Sequence, residues 1–236
     1  MLTHCIWFQL RSALDANLPL VLDGDGLFIV TQKPELLTSR RPGGAGCLSV
    51  ILTPNVNEYR RLCDALSIEA TGAVNQEAWM TGQCSLILSS WQSLPILKHP
   101  RRHWRTCRAS LGCVSAAMSS FYRCLLIVLV LSQQGAVIVR KGHLDLIAAG
   151  DSPVLECTEP GAPRRCGGQG DVLAGSTAVF AAWAQRGAAP LQHAALAACT
   201  LVRATAARTF AVKRRSMVAG DLLPELGPTF ESIAPA

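Results

Sequence analysis

Arg165-Cys166-Gly167-Gly168-Gln169-Gly170-Asp171, continued by Val172-Leu173-Ala174-Gly175-Ser176, decides how the rest of the chain is read. Three glycines within four residues let a backbone approach an anion closely and turn its N–H groups inward. The small residues after them predict a helix from about Asp171, whose free amides and positive dipole end would face the same anion. Asp171 at its mouth could take a proton from a hydroxyl attacking a bound phosphate. An ordinary loop-to-helix turn with Asp171 as N-cap is the plain alternative.

Working outward, Leu18 to Leu22 is a short apolar run ending in Asp23-Gly24-Asp25-Gly26, a buried strand that closes in a tight turn. Cys47 to Leu52 repeats the pattern and ends in Thr53-Pro54-Asn55. Glu58, Tyr59, Leu62, Ala65 and Leu66 then recur at helical spacing, and Asn55 with Glu58 forms a capping-box pattern. Ala136 to Val139 and Leu144 to Ala148 read as a hairpin around Arg140-Lys141-Gly142, and Asp151 to Cys157 contains one more strand. Helices are expected over Asp171–Gln185, Leu191 to about Val212, and Leu222–Ile233, the last with Asp221 as N-cap. Strands mixed with helices and a helical end predict a layered α/β fold.

The segment from about Ser67 to Gln133 does not share this grammar. It holds three of the five tryptophans, four of the ten cysteines and a basic cluster of Lys98, Arg101, Arg102, Arg105 and Arg108. No sustained period of strand or helix runs through it, so it is expected to be an atypical insertion within one domain spanning 1–236.

Bulk properties narrow the classes. The 236 residues suit one α/β domain or two small ones, and with 50% hydrophobic and 16% charged residues the chain reads as globular. A net charge of +6 suits anionic small-molecule substrates and is too weak to argue for nucleic acid. The ten cysteines form no C-x-x-C pair, so zinc and thioredoxin-like sites lack support and reduced thiols are expected. The start lacks the marks of a signal peptide, and the longest purely apolar run, Leu125 to Leu131, is too short to cross a bilayer. A cytoplasmic compartment is the default expectation, with mitochondria as the alternative.

The glycine loop, the Asp23-Gly-Asp-Gly turn and the Thr53-Pro-Asn turn occur in the order found in the ATP-dependent NAD(P)H-hydrate dehydratases, a branch of the ribokinase-like superfamily, which the chain resembles. Val21–Leu27, Leu52–Tyr59, Val139–Asp145, the loop from Arg164 through Ser176, Ala195–Arg203 and Arg215–Glu225 carry the likeness. It covers roughly residues 13–66 and 135–233. The resemblance implies an enzyme that uses ATP, with Mg²⁺, to phosphorylate the hydroxyl on the hydrated nicotinamide ring of NADH or NADPH (the S form) and then expel phosphate. It implies no membrane or nucleic-acid partner and leaves a homo-oligomer open.

Position by position, the resemblance assigns Asp171 to the hydrated cofactor as the catalytic base. It assigns Lys141, Gly142, His143, Leu144 and Asp145, together with Gly161, Ala162, Pro163, Arg164, Arg165, Cys166, Gly167, Gly168, Gln169 and Gly170, to ATP. In that scheme Lys141 contacts phosphate and Asp145 reaches ribose or metal. Asn55, Val56, Asn57, Glu58, Tyr59, Arg60 and Arg61 match the segment on the hydrated cofactor, although the family's Asn-His-Val-Glu reads Asn55-Val56-Asn57-Glu58 here. Asp23 and Asp25 could orient Mg²⁺ or simply form an acidic turn. The family's Gly-Pro-Gly-Leu-Gly-type loop has no match, so an N-terminally truncated form lacking the first strands is expected. An inactive or merely nucleotide-binding variant, or another ribokinase-like small-molecule kinase, remains the alternative.

Overall fold

The computed structural model describes residues 2–16, 18–38, 49–73, 136–150 and 152–235. Most of the 67–133 segment and the apolar run Leu125–Leu131 lie outside them. At its start, however, residues 67–73 continue a helix rather than opening an irregular insertion.

In chain order the elements are helix α1 (Leu2–Asp15), strand β1 (Leu20–Leu22), helices α2 (Gly24–Gln32) and α3 (Glu35–Thr38), strand β2 (Val50–Leu52) and helix α4 (Val56–Ala73). Strands β3 (Val137–Arg140), β4 (Asp145–Ala149) and β5 (Leu155–Cys157) follow, then helices α5 (Gln169–Arg186), α6 (Leu191–Lys213) and α7 (Leu223–Ile233). The five strands form one sheet in the order β1-β2-β3-β4-β5. β1, β2 and β3 run parallel, with Val21 opposite Ile51 and Leu52 opposite Ile138. The expected hairpin pairs β3 antiparallel to β4, and β5 joins as an antiparallel edge.

The parallel strands are apolar throughout because both of their faces are covered. Alternation assigns their side chains to two cores. Leu22, Val50, Leu52 and Ile138 face α1, α2 and α4 through Leu10, Leu27, Val30, Leu62 and Leu66. Ile51, Val137, Val139 and Ile147 face α5 and α6 through Leu173, Ala181, Ala195, Ala198 and Val202. Helices on both faces of a mixed sheet make the expected layered α/β fold. By composition α6 is apolar enough to cross a bilayer (mean hydropathy 1.3), yet its small residues pack on the sheet as a core helix.

Several local expectations are met in detail. The Asn55 side chain accepts from the amides of Asn57 (2.9 Å) and Glu58 (3.0 Å), and Glu58 Oε2 accepts from the Asn55 amide at 2.8 Å, a complete capping box. Gly187 ends α5 as expected. Two readings need correction. The Asp23–Gly26 turn is the start of α2 rather than a tight reversal, with Gly24 at φ 45° just inside it. Asp221 acts one turn earlier than α7: its Oδ2 accepts from the Val218 amide at 3.0 Å and closes a 3-10 turn over Ala219–Asp221. That bond, with the Lys213 ammonium, holds the Asp221 carboxyl below its ordinary value.

Candidate active site

Three parallel strands end at one place. Asp23 follows β1, Thr53 to Asn55 follow β2, and Lys141 follows β3. The Thr53 amide donates to Leu22 O at 3.0 Å and the Lys141 amide to Pro54 O at 2.9 Å, so backbone bonds fix these three ends side by side. In an open α/β sheet the carboxyl ends of the strands are where ligands bind.

Lys141 Nζ donates to Asp23 Oδ1 at 2.7 Å, with both side chains less than one-fifth exposed. The N-terminus of α5 enters over this pair. A Cβ at Gly170 would stand 3.5 Å from Asp23 Oδ2 and 3.7 Å from Lys141 Nζ, so the glycine brings the helix start against the ion pair. Gly168, the N-cap, has φ 86°, and a Cβ there would lie only 2.9 Å from that of Ala219. Two amides of the turn are already used, Gln169 N on Cys166 O at 3.3 Å and Asp171 N on Gly168 O at 3.1 Å. An anion placed here would meet the space at Gly170 and the Lys141 ammonium rather than every amide of the loop. Asp171 is exposed in the first turn of α5.

A cleft of about 730 Å³ opens from this point. Of the residues expected on ATP, Lys141, Gly142, His143, Leu144, Asp145, Gly161, Ala162, Pro163, Arg165, Cys166, Gln169 and Gly170 line it. Arg164, Gly167 and Gly168 stand outside its lining, Gly168 shaping the turn from behind. Asn55 also faces this cleft. Glu58 and Arg61 instead line a smaller cavity of about 240 Å³ with Gly24, Asp25 and Phe28. The expected substrate segment is thus split: Val56, Asn57 and Arg60 are exposed, while Tyr59 is 7% exposed inside the α4 core. Tyr59 shares its helix face with Leu62, Cys63 and Leu66, the apolar stripe that packs α4 into the core.

Asp145 lines the cleft and is only 6% exposed. Oδ1 accepts from the Gly142 amide at 3.0 Å and Oδ2 from Arg203 Nε at 2.6 Å, so it also braces the hairpin turn. The bond to Asp145 also lifts the Arg203 guanidinium above its ordinary value.

Sequence reading missed the far wall, made of Thr158, Glu159, Pro160, Leu173, Cys199, Val202 and Arg203. Burial, helped by the Asp145 carboxylate, pushes the Cys199 thiol well up, so it lines the cleft as a neutral group. A signal for Arg203 was present: it is the one charged residue in the small and apolar stretch Ala194–Ala207, and a cation there must find a partner when that stretch is buried.

A profile of the family described as NAD(P)H-hydrate dehydratase matches residues 3–100 and 124–227. The match takes in residues 67–100, which the motif likeness had left out. A Vitis vinifera protein named ATP-dependent (S)-NAD(P)H-hydrate dehydratase is 32% identical, covering all of this chain and 54% of its own length. A Bos taurus protein of the same name is 30% identical over 95% of this chain and 54% of its own. The chain spans about half the length of the curated relatives it matches. Among solved structures, Bacillus subtilis YxkO of the UPF0031 family superposes with a TM-score of 0.50 at 21% identity, covering 94% of this chain and 59% of its own, and shares the fold. The glycine turn over the Lys141–Asp23 pair and the matched stretches before and after it agree: the chain belongs to the NAD(P)H-hydrate dehydratase family.

Proposed function

We propose that the protein dehydrates the S form of hydrated NADH or NADPH at the expense of ATP, returning NAD(P)H, ADP and phosphate. The observation that carries this reading is the placement of Gly170 against Lys141 at the edge of the large cleft, with Asp171 next in the chain and exposed in the first turn of α5. The triphosphate would lie along the cleft with its terminal phosphate at Lys141 and the α5 N-terminus, where positive charge meets the charge that shifts during transfer. Asp171 would accept the proton of the ring hydroxyl as its oxygen bonds to the γ-phosphorus and ADP departs. Hydroxide is a poor leaving group and phosphate a good one, so the carbon–oxygen bond can then break with release of phosphate while the neighbouring ring carbon loses a proton to solvent, its C–H electrons forming the ring double bond of NAD(P)H.

Magnesium enters this scheme only with the nucleotide. Among the described residues no three His, Cys, Asp or Glu side chains gather as a metal cage, and Asp23 and Asp145 are held by Lys141 and Arg203. That donor set fits an ion carried on phosphate oxygens and water and does not fit a resident metal.

The test is phosphate release from MgATP, with and without hydrated NADH, by the purified chain and by Asp171→Asn. Release that depends on hydrated NADH, and that the variant loses by about a hundredfold or more, is the expected result for a general base. A stable phosphorylated alcohol in place of free phosphate would indicate another ribokinase-like kinase. A folded chain that binds nucleotide but releases no phosphate would leave it a nucleotide-binding member of the family.

A further inference from the structure

On the reading that the large cleft takes MgATP, we propose that Arg203 is its positioning residue. It holds the Lys141–Asp145 turn and the Glu159–Gly161 segment in the one arrangement that presents Lys141 to phosphate.

The guanidinium sits between the two segments and bonds to both. Nε donates to Asp145 Oδ2 at 2.6 Å, Nη2 to Gly142 O at 3.1 Å and Nη1 to Glu159 O at 3.4 Å. Gly161 rests on the same side chain, where a Cβ would stand 3.7 Å from Arg203 Cγ and Nη1. The anchor comes from α6, a helix of 23 residues whose Ala195, Ala198 and Cys199 are buried against the sheet. A rigid element therefore reaches out and fixes two loops that have little regular structure.

The consequence for Lys141 follows from the peptide next to it. The Gly142 amide donates to Asp145 and its carbonyl accepts from Arg203 at 3.1 Å and from the exposed Arg165 Nη2 at 3.0 Å, so both sides of that residue touch the Asp145–Arg203 ion pair. A Cβ at Gly142 would stand 2.8 Å from Leu144 O, which shows how tightly the turn is wound. Releasing Arg203 leaves that carbonyl to the exposed Arg165 alone and removes the partner that fixes Asp145, so the turn beside Lys141 loosens while Lys141 itself keeps its bond to Asp23. A planar fork with several donors is needed to satisfy three acceptors at once, and an ammonium cannot reproduce it. Arg203 acts through Asp145, Gly142 and Lys141 and is not itself asked to touch the reacting atoms.

The experiment measures MgATP binding to the full chain by calorimetry for wild type and Arg203→Lys, with circular dichroism to establish folding. KM values for ATP and for hydrated NADH are measured alongside. A misaimed phosphate contact is expected to weaken MgATP binding about 10–100-fold and to raise KM for ATP in step, with KM for hydrated NADH changed less than about twofold. Binding equal to wild type in the folded variant, or equal rises in both KM values, would overturn the proposal, since a purely structural role lowers the folded fraction without separating the two substrates. If Arg203→Lys does not fold, the double variant Asp145→Asn/Arg203→Gln removes both charges together and leaves neither one buried alone. Its MgATP affinity is expected to fall as far, and wild-type affinity would count against the role. A wild-type chain that binds MgATP but turns nothing over fails only the dehydratase reading, and the calorimetric comparison still decides Arg203. A wild-type chain that binds no MgATP overturns both.

Discussion

At Gly168 two separate constraints fall on one residue. Its φ of 86° lies where a side chain is strained, and a Cβ would stand 2.9 Å from that of Ala219. Gly168→Ala is expected to cost about 1–3 kcal/mol of stability from the backbone alone, with the clash in addition. Ala219→Gly in the same chain relieves only the clash. Urea unfolding of the two single variants and the double should therefore show partial rescue; full rescue would mean that the backbone angle costs nothing. At this scale the sequence was informative where local chemistry decides. Gly168, Gly170 and Asp171 come at the start of α5, and Gly170 stands against Lys141. The surroundings of Asp145 and Tyr59 were not legible because they depend on neighbours elsewhere in the fold, Arg203 lying 58 residues from Asp145 and Tyr59 facing the α2 side of the core.

Among the elements, the joint after α6 carries the clearest strain. Arg214 has φ 54° and ψ −132°, a region that glycine alone enters freely, and it is exposed. Arg214→Gly is expected to stabilise the protein by about 1 kcal/mol, partly offset by the greater freedom of glycine in the unfolded chain, and to raise Tm by about 2–4 °C. Arg214→Ala should change little, because alanine keeps the Cβ that causes the strain. A loss of Tm in both variants would instead show that the arginine side chain holds the joint. Element positions were legible where a reciprocal cap was explicit, as at Asn55 and Glu58, and less so where a lone Asp221 was the signal. They were less so at Asp23–Gly26, where two glycines suggested a reversal. In the structure the chain passes Gly24 at positive φ and begins α2, with Asp25 in its first turn complementing the helix dipole.

For the whole molecule, the sheet separates two apolar cores while the ligand cleft draws on both sides of it. Asn55 caps the helix that packs in one core, and Gly170 and Arg203 sit on helices of the other. Apolar strand runs announced a covered sheet but could not say which residue faces which core, because period-2 alternation disappears when both faces are buried. A site shared in this way needs the two layers to keep their relative position, which requires them to fold as one cooperative unit. Leu62→Ala opens a cavity in the α4 side and is expected to cost about 2–5 kcal/mol, whereas Ile147→Val trims the α6 side by about 0.5–1.5 kcal/mol. Both residues are fully buried and lie across the sheet from one another, so they share no packing partner directly. If the cores unfold together, the double variant loses the sum of the two costs within about 0.5 kcal/mol, in a single transition seen alike by tryptophan fluorescence and far-ultraviolet dichroism. Two separated transitions, each sensitive to one substitution only, would mean that the layers melt independently. The cleft between them would then be assembled by its ligand rather than by the fold.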